Sequence, residues 1–398
     1  MPRFILTVTA AHFWRYDVKR IKSDRIVTSE GIKGGYVYFE QGKITEVSQN
    51  ELPFDEEYNA TGSYVVPGFI EMHSHGGGGY PFEGEVEDVV WGTLFHLRHG
   101  VTSICPTISA APLADMARSV RNIADAMRDE RTRGVILGAH LEGPYLSPKQ
   151  AGAQCPDFIT PPDEKEYLPL LEEHGDVIAR WSYAPENDDG SFARALVAHA
   201  VIPAAGHTDA IGEDMARAEE AGCHLVTHLY SCTSTITRDH GFRRLGVIEH
   251  AYLSDTMDVE IICDGKHLPP DLIRLIYKIK GSAQIALITD SLALAGTTQT
   301  EGKMQATEFI IEDGVCKLRD RSAFAGSIAT ADRLLRVAVT EAGIPLTEAV
   351  KMMTETPARI MGYRKKGQLS PDMDADIVIL DSSLFVKQVI KGGEVIHV

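Results

Sequence analysis

Val65-Val66-Pro67-Gly68-Phe69-Ile70-Glu71-Met72-His73-Ser74-His75-Gly76-Gly77-Gly78-Gly79 is the stretch at which the chain changes character. An apolar run ends in two imidazoles on one side of an extended segment, and the glycines that follow let backbone approach a ligand closely. Upstream, short strands at 25–29, 35–40 and 43–47 are separated by polar turns such as Gln41-Gly42. Downstream, apolar strand, polar loop and amphipathic helix alternate, the pattern of βα units on a parallel sheet.

With 65–72 as the first, further strands are expected at 101–106, 135–141, 178–184, 201–205, 224–228, 259–263 and 285–289. That makes eight, the number that closes a TIM barrel. Helical apolar spacing at 86–98, 112–130, 163–174, 213–221 and 270–280 fills the connections. Asp313-Gly314 inside 309–318 predicts a hairpin that leaves the barrel after its eighth strand, with helices resuming at Ser327. The tail from Gly367 is β-rich again, with strands at 377–380 and 386–390. The fold expected is therefore α/β: a (β/α)8 TIM barrel over 64–363, with a small β-sandwich domain built from both termini, 1–63 and 364–398. A length of 398 residues accommodates a barrel of roughly 250 residues and one small module.

The formal net charge of −17 argues against nucleic acid and anionic membrane surfaces as partners. No apolar run reaches membrane-spanning length, and residues 1–11 lack a charged-then-apolar leader pattern, so the cytoplasm is the expected compartment. Six scattered cysteines lack zinc-knuckle spacing and are expected to be free thiols.

Catalytic residues of such barrels sit at the C-terminal ends of strands. There the sequence places His73 and His75, Glu142 in Leu141-Glu142-Gly143-Pro144, His207 in Gly206-His207-Thr208-Asp209, His228 in Thr227-His228-Leu229-Tyr230, and Asp290 in Thr289-Asp290-Ser291. Each alone has a bland explanation: a solvated imidazole pair, a strand-end Glu, a satisfied core histidine, an Asx turn. Together, imidazole and carboxylate at five of eight strand ends form a donor set suited to zinc or iron.

These residues, with Pro67-Gly68-Phe69-Ile70, Ala151-Gly152-Ala153-Gln154, Asp264-Gly265-Lys266-His267 and Ala325-Gly326-Ser327, make the chain resemble the amidohydrolase superfamily. Within it, the resemblance is to the N-acetylglucosamine-6-phosphate deacetylase family, along nearly the whole barrel and into the β module. The resemblance implies a cytoplasmic, homodimeric enzyme that hydrolyses the acetamide of a phosphorylated N-acetylamino sugar. It implies one or two divalent ions per subunit, zinc or iron, with Glu142, His207 and His228 holding the principal ion and His73 and His75 serving a second. Such an ion lowers the pKa of water to ~7 and so supplies the nucleophile. Asp290 would be the general base that returns its proton to the amino nitrogen. Ala153, Gln154, Ser231, Cys232, Arg243, His267, Phe324, Ala325 and Gly326 would contact substrate.

Two segments depart from the family pattern. Tyr230 is followed by Ser231-Cys232-Thr233 where Asn-Ala-Met is usual, and the phosphate-binding arginine turn has its nearest counterpart in Arg243-Arg244-Leu245-Gly246, with Arg238 as rival. N-acetylgalactosamine 6-phosphate or another N-acyl substrate is the alternative within the superfamily. The fourth strand contains Arg180 and no lysine, which disfavours a carbamylated-lysine centre. A catalytically silent barrel scaffold is the alternative from another class. It would purify without divalent metal.

Overall fold

Pro67 and Gly68 divide what the sequence suggests is one strand. The computed structural model, which describes residues 17–397, places Tyr64–Pro67 in the small sheet and Phe69–Ser74 in the barrel. Proline cannot donate to a ladder, and a Cβ on Gly68 would come within 2.1 Å of Thr102 Oγ1, so the chain crosses between the two layers here. The leader reading of residues 1–11 lies outside the described residues.

Tyr64–Pro67 joins the two ends of the chain. It pairs parallel with Lys19–Thr28 and antiparallel with Ile377–Leu380, in the register Val65↔Ile379. The expected sandwich is one hydrogen-bonded path that also takes in Gly31–Glu40, Lys43–Ser48, Val386–Lys391 and Glu394–Ile396, with Glu56–Asn59 branching from Lys19–Thr28. Ile21, Val37, Phe39, Val65, Ile377 and Ile390 from across this sheet share one core.

The barrel strands, one to eight, are Phe69–Ser74, Val101–Ser109, Ala139–Glu142, Ile178–Tyr183, Ile202–Ala205, Leu225–Val226, Asp258–Ile262 and Ile285–Ile288, parallel and in sequence order. Strand three is shorter than expected because Gly138, at φ 134°, interrupts it and leaves only an Ile104↔Ile136 bridge behind. Strands eight and one meet at a seam closed by Asp290 N–H to His73 O at 2.9 Å and His75 N–H to Ser291 O at 2.8 Å. The Glu71 carboxylate staples this seam, accepting His73 N–H and Thr289 N–H, each at 3.0 Å.

The helices follow their sequence signals closely. Val86–Arg98 buries Val89, Val90, Thr93, His96 and Leu97, a single stripe. Pro270–Lys280 starts on proline and stops at Gly281, whose φ of 69° suits a residue without Cβ. Two helices escaped the sequence reading, Ser191–Ala198 and Val247–Leu253, because each offers barely two turns of pattern. Beyond strand eight, Glu301–Met304, Thr307–Glu312 and Val315–Leu318 form a three-stranded excursion, with Asp313-Gly314 at its tight turn. Among the described residues, no helix is long and apolar enough to cross a membrane.

Candidate metal centre

Glu142, the last residue of strand three, is the hub of the barrel mouth. Its Oε1 lies 2.8 Å from His228 Nε2, 3.2 Å from His207 Nε2 and 3.4 Å from His73 Nε2, while Oε2 lies 3.2 Å from His75 Nε2. Asp290 Oδ1 closes the cluster from strand eight, 3.4 Å from His73 Nε2 and 3.3 Å from His75 Nε2. All six residues singled out in the sequence thus meet in one place, and all are buried.

The backbone is bent to achieve this. His207, His228 and Asp290 sit at positive φ, 47°, 31° and 47°, a left-handed conformation unfavourable for residues with a Cβ. Such outliers persist where surrounding bonds over-determine them, and they concentrate at functional sites. Here the supports are visible. Glu186 accepts Asp209 N–H at 2.7 Å and bonds the Thr208 hydroxyl, and Thr208 N–H reaches Cys232 O at 3.1 Å. Ser327 N–H donates to Asp290 O at 2.8 Å, and a Cβ on Gly326 would come within 2.9 Å of that same oxygen.

The carboxylates and imidazoles of the centre shift one another. Burial alone would raise the carboxyl groups of Glu142 and Asp290. The imidazoles outweigh it, holding Glu142 well below the usual carboxylate range and lowering Asp290. Burial would likewise depress His75 and His207, yet Asp290 and Glu142 push His75 up to about 10, and Cys232 and Glu142 raise His207. His228 is lowered, chiefly by burial. Among the described residues, neither carboxylate has a Lys or Arg ion-pair partner. Their counter-charge is the raised imidazoles, and a divalent cation bound to the same donors would take over that part.

The donor set fits that cation. His207 Nδ1 is 2.8 Å from Gln150 O and His75 Nδ1 is 3.0 Å from Ser109 Oγ, so each ring presents Nε2 to the centre. Both nitrogens of His73 and Nδ1 of His228 are buried without a hydrogen-bond partner among the described residues. Three overlapping ligand groups, His73–His75–Glu142, Glu142–His207–His228 and His73–His228–Asp290, have donor atoms close enough to share an ion.

A cleft opens above the cluster, and Ala153, Gln154, Ser231, Cys232, Phe324 and Gly326 line it together with His267. His267 Nδ1 lies 2.8 Å from Asp264 Oδ2, and Phe324 packs edge-on against the ring at 5.0 Å, which leaves Nε2 for a ligand. Ala325 is buried behind the rim, its N–H bonded to Cys316 O. Arg243 does not line the cleft. It lies on an exposed hairpin, Thr237–Asp239 paired with Phe242–Arg244, where Arg238 stands opposite it. The cysteines are free thiols, as expected.

Glu71, His140, Arg180, Glu186 and Glu260 are not among the site residues expected from the sequence. For three of them a signal was present: Glu71, Arg180 and Glu260 are each flanked on both sides by apolar residues within a buried strand, and such a charge needs a buried partner.

The profile of the Amidohydrolase family matches residues 64–396. The chain belongs to the amidohydrolase family. This amidohydrolase is 31% identical to the N-acetylglucosamine-6-phosphate deacetylase of Bacillus subtilis, covering 94% of this chain and 96% of the relative. It is also 31% identical to the N-acetylgalactosamine-6-phosphate deacetylase of a Shewanella species, over 85% of each chain. Its fold matches the N-acetyl-D-glucosamine-6-phosphate deacetylase of Mycobacterium smegmatis, solved as a variant in complex with N-acetyl-D-glucosamine-6-phosphate. The TM-score is 0.88 at 29% identity, covering 95% of this chain and 99% of that one.

Proposed function

We propose that this amidohydrolase is a metal-dependent deacetylase of a phosphorylated N-acetylamino sugar, with N-acetylglucosamine 6-phosphate as first choice of substrate. The observation that carries the reading is the Glu142 carboxylate ringed by four imidazoles with Asp290 across from it. Its likeness to two sugar-phosphate deacetylases along most of the chain supports the substrate class.

Glu142, His207 and His228 would hold the principal ion, zinc or iron. His73 and His75 would complete a second site that shares Glu142. A divalent ion, when bound there, supplies Lewis acidity and an acidified water. Asp290 then has two tasks: it takes the proton of the attacking water, and it delivers that proton to the amide nitrogen, which leaves poorly as an anion. Its position against His73 and His75 keeps the carboxylate ionised and ready to accept.

His267, oriented by Asp264, would hold the sugar, with Phe324 and the backbone at Ala325 and Gly326 along one side and Ala153 and Gln154 at the other. Ser231 and Cys232 lie where the sugar or its phosphate would bind. Because that segment differs from the usual family pattern, N-acetylgalactosamine 6-phosphate is the second reading, favoured by the Shewanella relative. Arg243, outside its own cleft, would serve the cleft of a partner subunit in a cytoplasmic homodimer.

The deciding experiment is acetate release from a panel of N-acetylated sugars with and without 6-phosphate, alongside metal content. Turnover of a 6-phosphorylated N-acetylamino sugar with one or two ions per chain is the expected result. Metal-free protein with no turnover on the panel would favour a silent scaffold.

A further inference from the structure

Behind the candidate centre a charged pair spans the barrel. Arg180 on strand four and Glu260 on strand seven are both 0% exposed, and these strands are not neighbours, so the pair crosses the interior. Arg180 Nη2 donates to Glu260 Oε2 at 3.1 Å and Thr227 Oγ1 at 3.0 Å, and Nη1 pairs with Glu260 Oε1 and with Met72 O at 3.3 Å. Glu260 Oε2 lies 3.6 Å from Nδ1 of His73.

His73 is the ligand-type residue least explained by its surroundings. It is fully buried, its Nε2 faces Glu142 and Asp290, and its Nδ1 has no hydrogen-bond partner. His140 packs edge-on against the ring at 4.5 Å and is itself fixed through Thr107 at 3.1 Å and Ser182 at 2.8 Å. A neutral imidazole that offers Nε2 to a cation carries its proton on Nδ1. That N–H, buried with no acceptor, is left with an unpaid desolvation cost. The only ion-pair contact recorded for His73 Nδ1 among the described residues is Glu260.

We propose that Glu260, held in place by Arg180, is the positioning residue of His73. It accepts Nδ1–H when the ring turns toward it, fixes the tautomer with Nε2 free, and so builds the second half of the metal centre. Metal-ligating histidines commonly depend on such an outer carboxylate. The proposal rests on the metal-dependent reading above, and it extends that reading to two residues outside the donor set. A plain cross-barrel brace is the competing role, because buried ion pairs are often replaceable by apolar residues without loss of stability.

The test is titration of chelator-stripped, full-length protein with Zn²⁺, in wild type, E260Q, the apolar double variant R180M/E260L, H73A and H73A/E260Q. E260Q should keep the first ion and bind the second roughly 10–100-fold more weakly. R180M/E260L should melt near wild type and show the same loss, and E260Q should add nothing in the H73A background. Unchanged second-ion affinity in either E260Q or R180M/E260L overturns the proposal. So does an equal E260Q effect with His73 removed, or failure of both pair variants to fold, which marks a brace. If wild type takes up a single ion yet deacetylates, this inference fails while the deacetylase reading stands. If it takes up none, the metal-dependent reading itself falls.

Discussion

Gln154 Nε2 donates to Glu142 Oε2 across 2.7 Å, while Gln154 Oε1 accepts the Ala110 amide at 2.9 Å. Both ends of the amide are committed, so the side chain is locked with its donor on the hub carboxylate. By the family resemblance Gln154 would be a substrate contact, and it lines the cleft. The hydrogen bonds give it a second task, orienting Glu142.

Q154A is therefore expected to weaken metal affinity, roughly tenfold or more, the usual effect of removing an outer-shell partner. Metal titration and steady-state kinetics separate the two tasks. A raised KM with unchanged metal affinity would leave Gln154 as a substrate contact alone.

His207 and His228 share Glu142 as one ligand group, whereas Asp290 groups with His73 and His228 and lies against the imidazoles of His73 and His75. H207A and H228A should lose the principal ion and activity together. H73A should lose at most the second ion, and D290N should retain the principal ion while turnover falls by roughly a hundredfold or more. Equal metal loss in all four variants would contradict this division of labour.

The barrel was legible because its periodicity is strong and because ligand-type residues interrupt apolar runs at strand ends, as at Glu142 and Asp290. What the sequence hid was geometry that depends on distant partners. The hand-over of the chain from one sheet to another at Pro67-Gly68 is hidden because apolar residues continue on both sides of it and both layers bury them. The left-handed backbone at His207, His228 and Asp290 has no glycine to flag it, and at His207 and Asp290 it is supported by Glu186 and Ser327 from other segments. The Arg180–Glu260 pair joins residues 80 positions apart.

His96 predicts how stability depends on pH. Burial lowers its pKa to about 4 from an ordinary 6.5, and His99 adds to that effect against the opposing Gly76 carbonyl. The unfolded chain takes up a proton near pH 6.5 that the native state refuses. Stability is thus full above 6.5 and is lost as pH falls toward 4, by on the order of 3 kcal/mol from this group. Urea denaturation of metal-free protein across that window should show the decline, and H96Q should flatten it. An unchanged slope in H96Q would assign the acid sensitivity elsewhere.

The hairpin that carries Arg243 bears on substrate class and assembly at once. Arg238 and Arg243 face each other across its ladder, an arrangement of like charges that is unfavourable without a counter-charge. Arg244 is neutralised by Asp239 at 2.6 Å, but the side-chain contact of Arg243 is the Gly241 carbonyl at 3.3 Å. Beside them Phe242 is 78% exposed. An anion and a covering surface would satisfy both features, and the phosphate end of a substrate in a partner's cleft offers them together. R243A should then lower kcat/KM for the 6-phosphorylated sugar by roughly tenfold to a thousandfold, while the unphosphorylated sugar is nearly unaffected. R238A is the matched comparison, and whichever arginine discriminates is the phosphate ligand. Mixing R243A subunits with D290N subunits tests the geometry. In a mixed dimer, the cleft that keeps Asp290 receives Arg243 from its partner, so activity should return although each parent alone is impaired. No recovery on mixing, with R243A selectively impaired, would place Arg243 at the cleft of its own subunit. Equal loss on both sugars, for both arginines, would remove the phosphate from the substrate and leave a metal-dependent deacylase of another N-acyl compound.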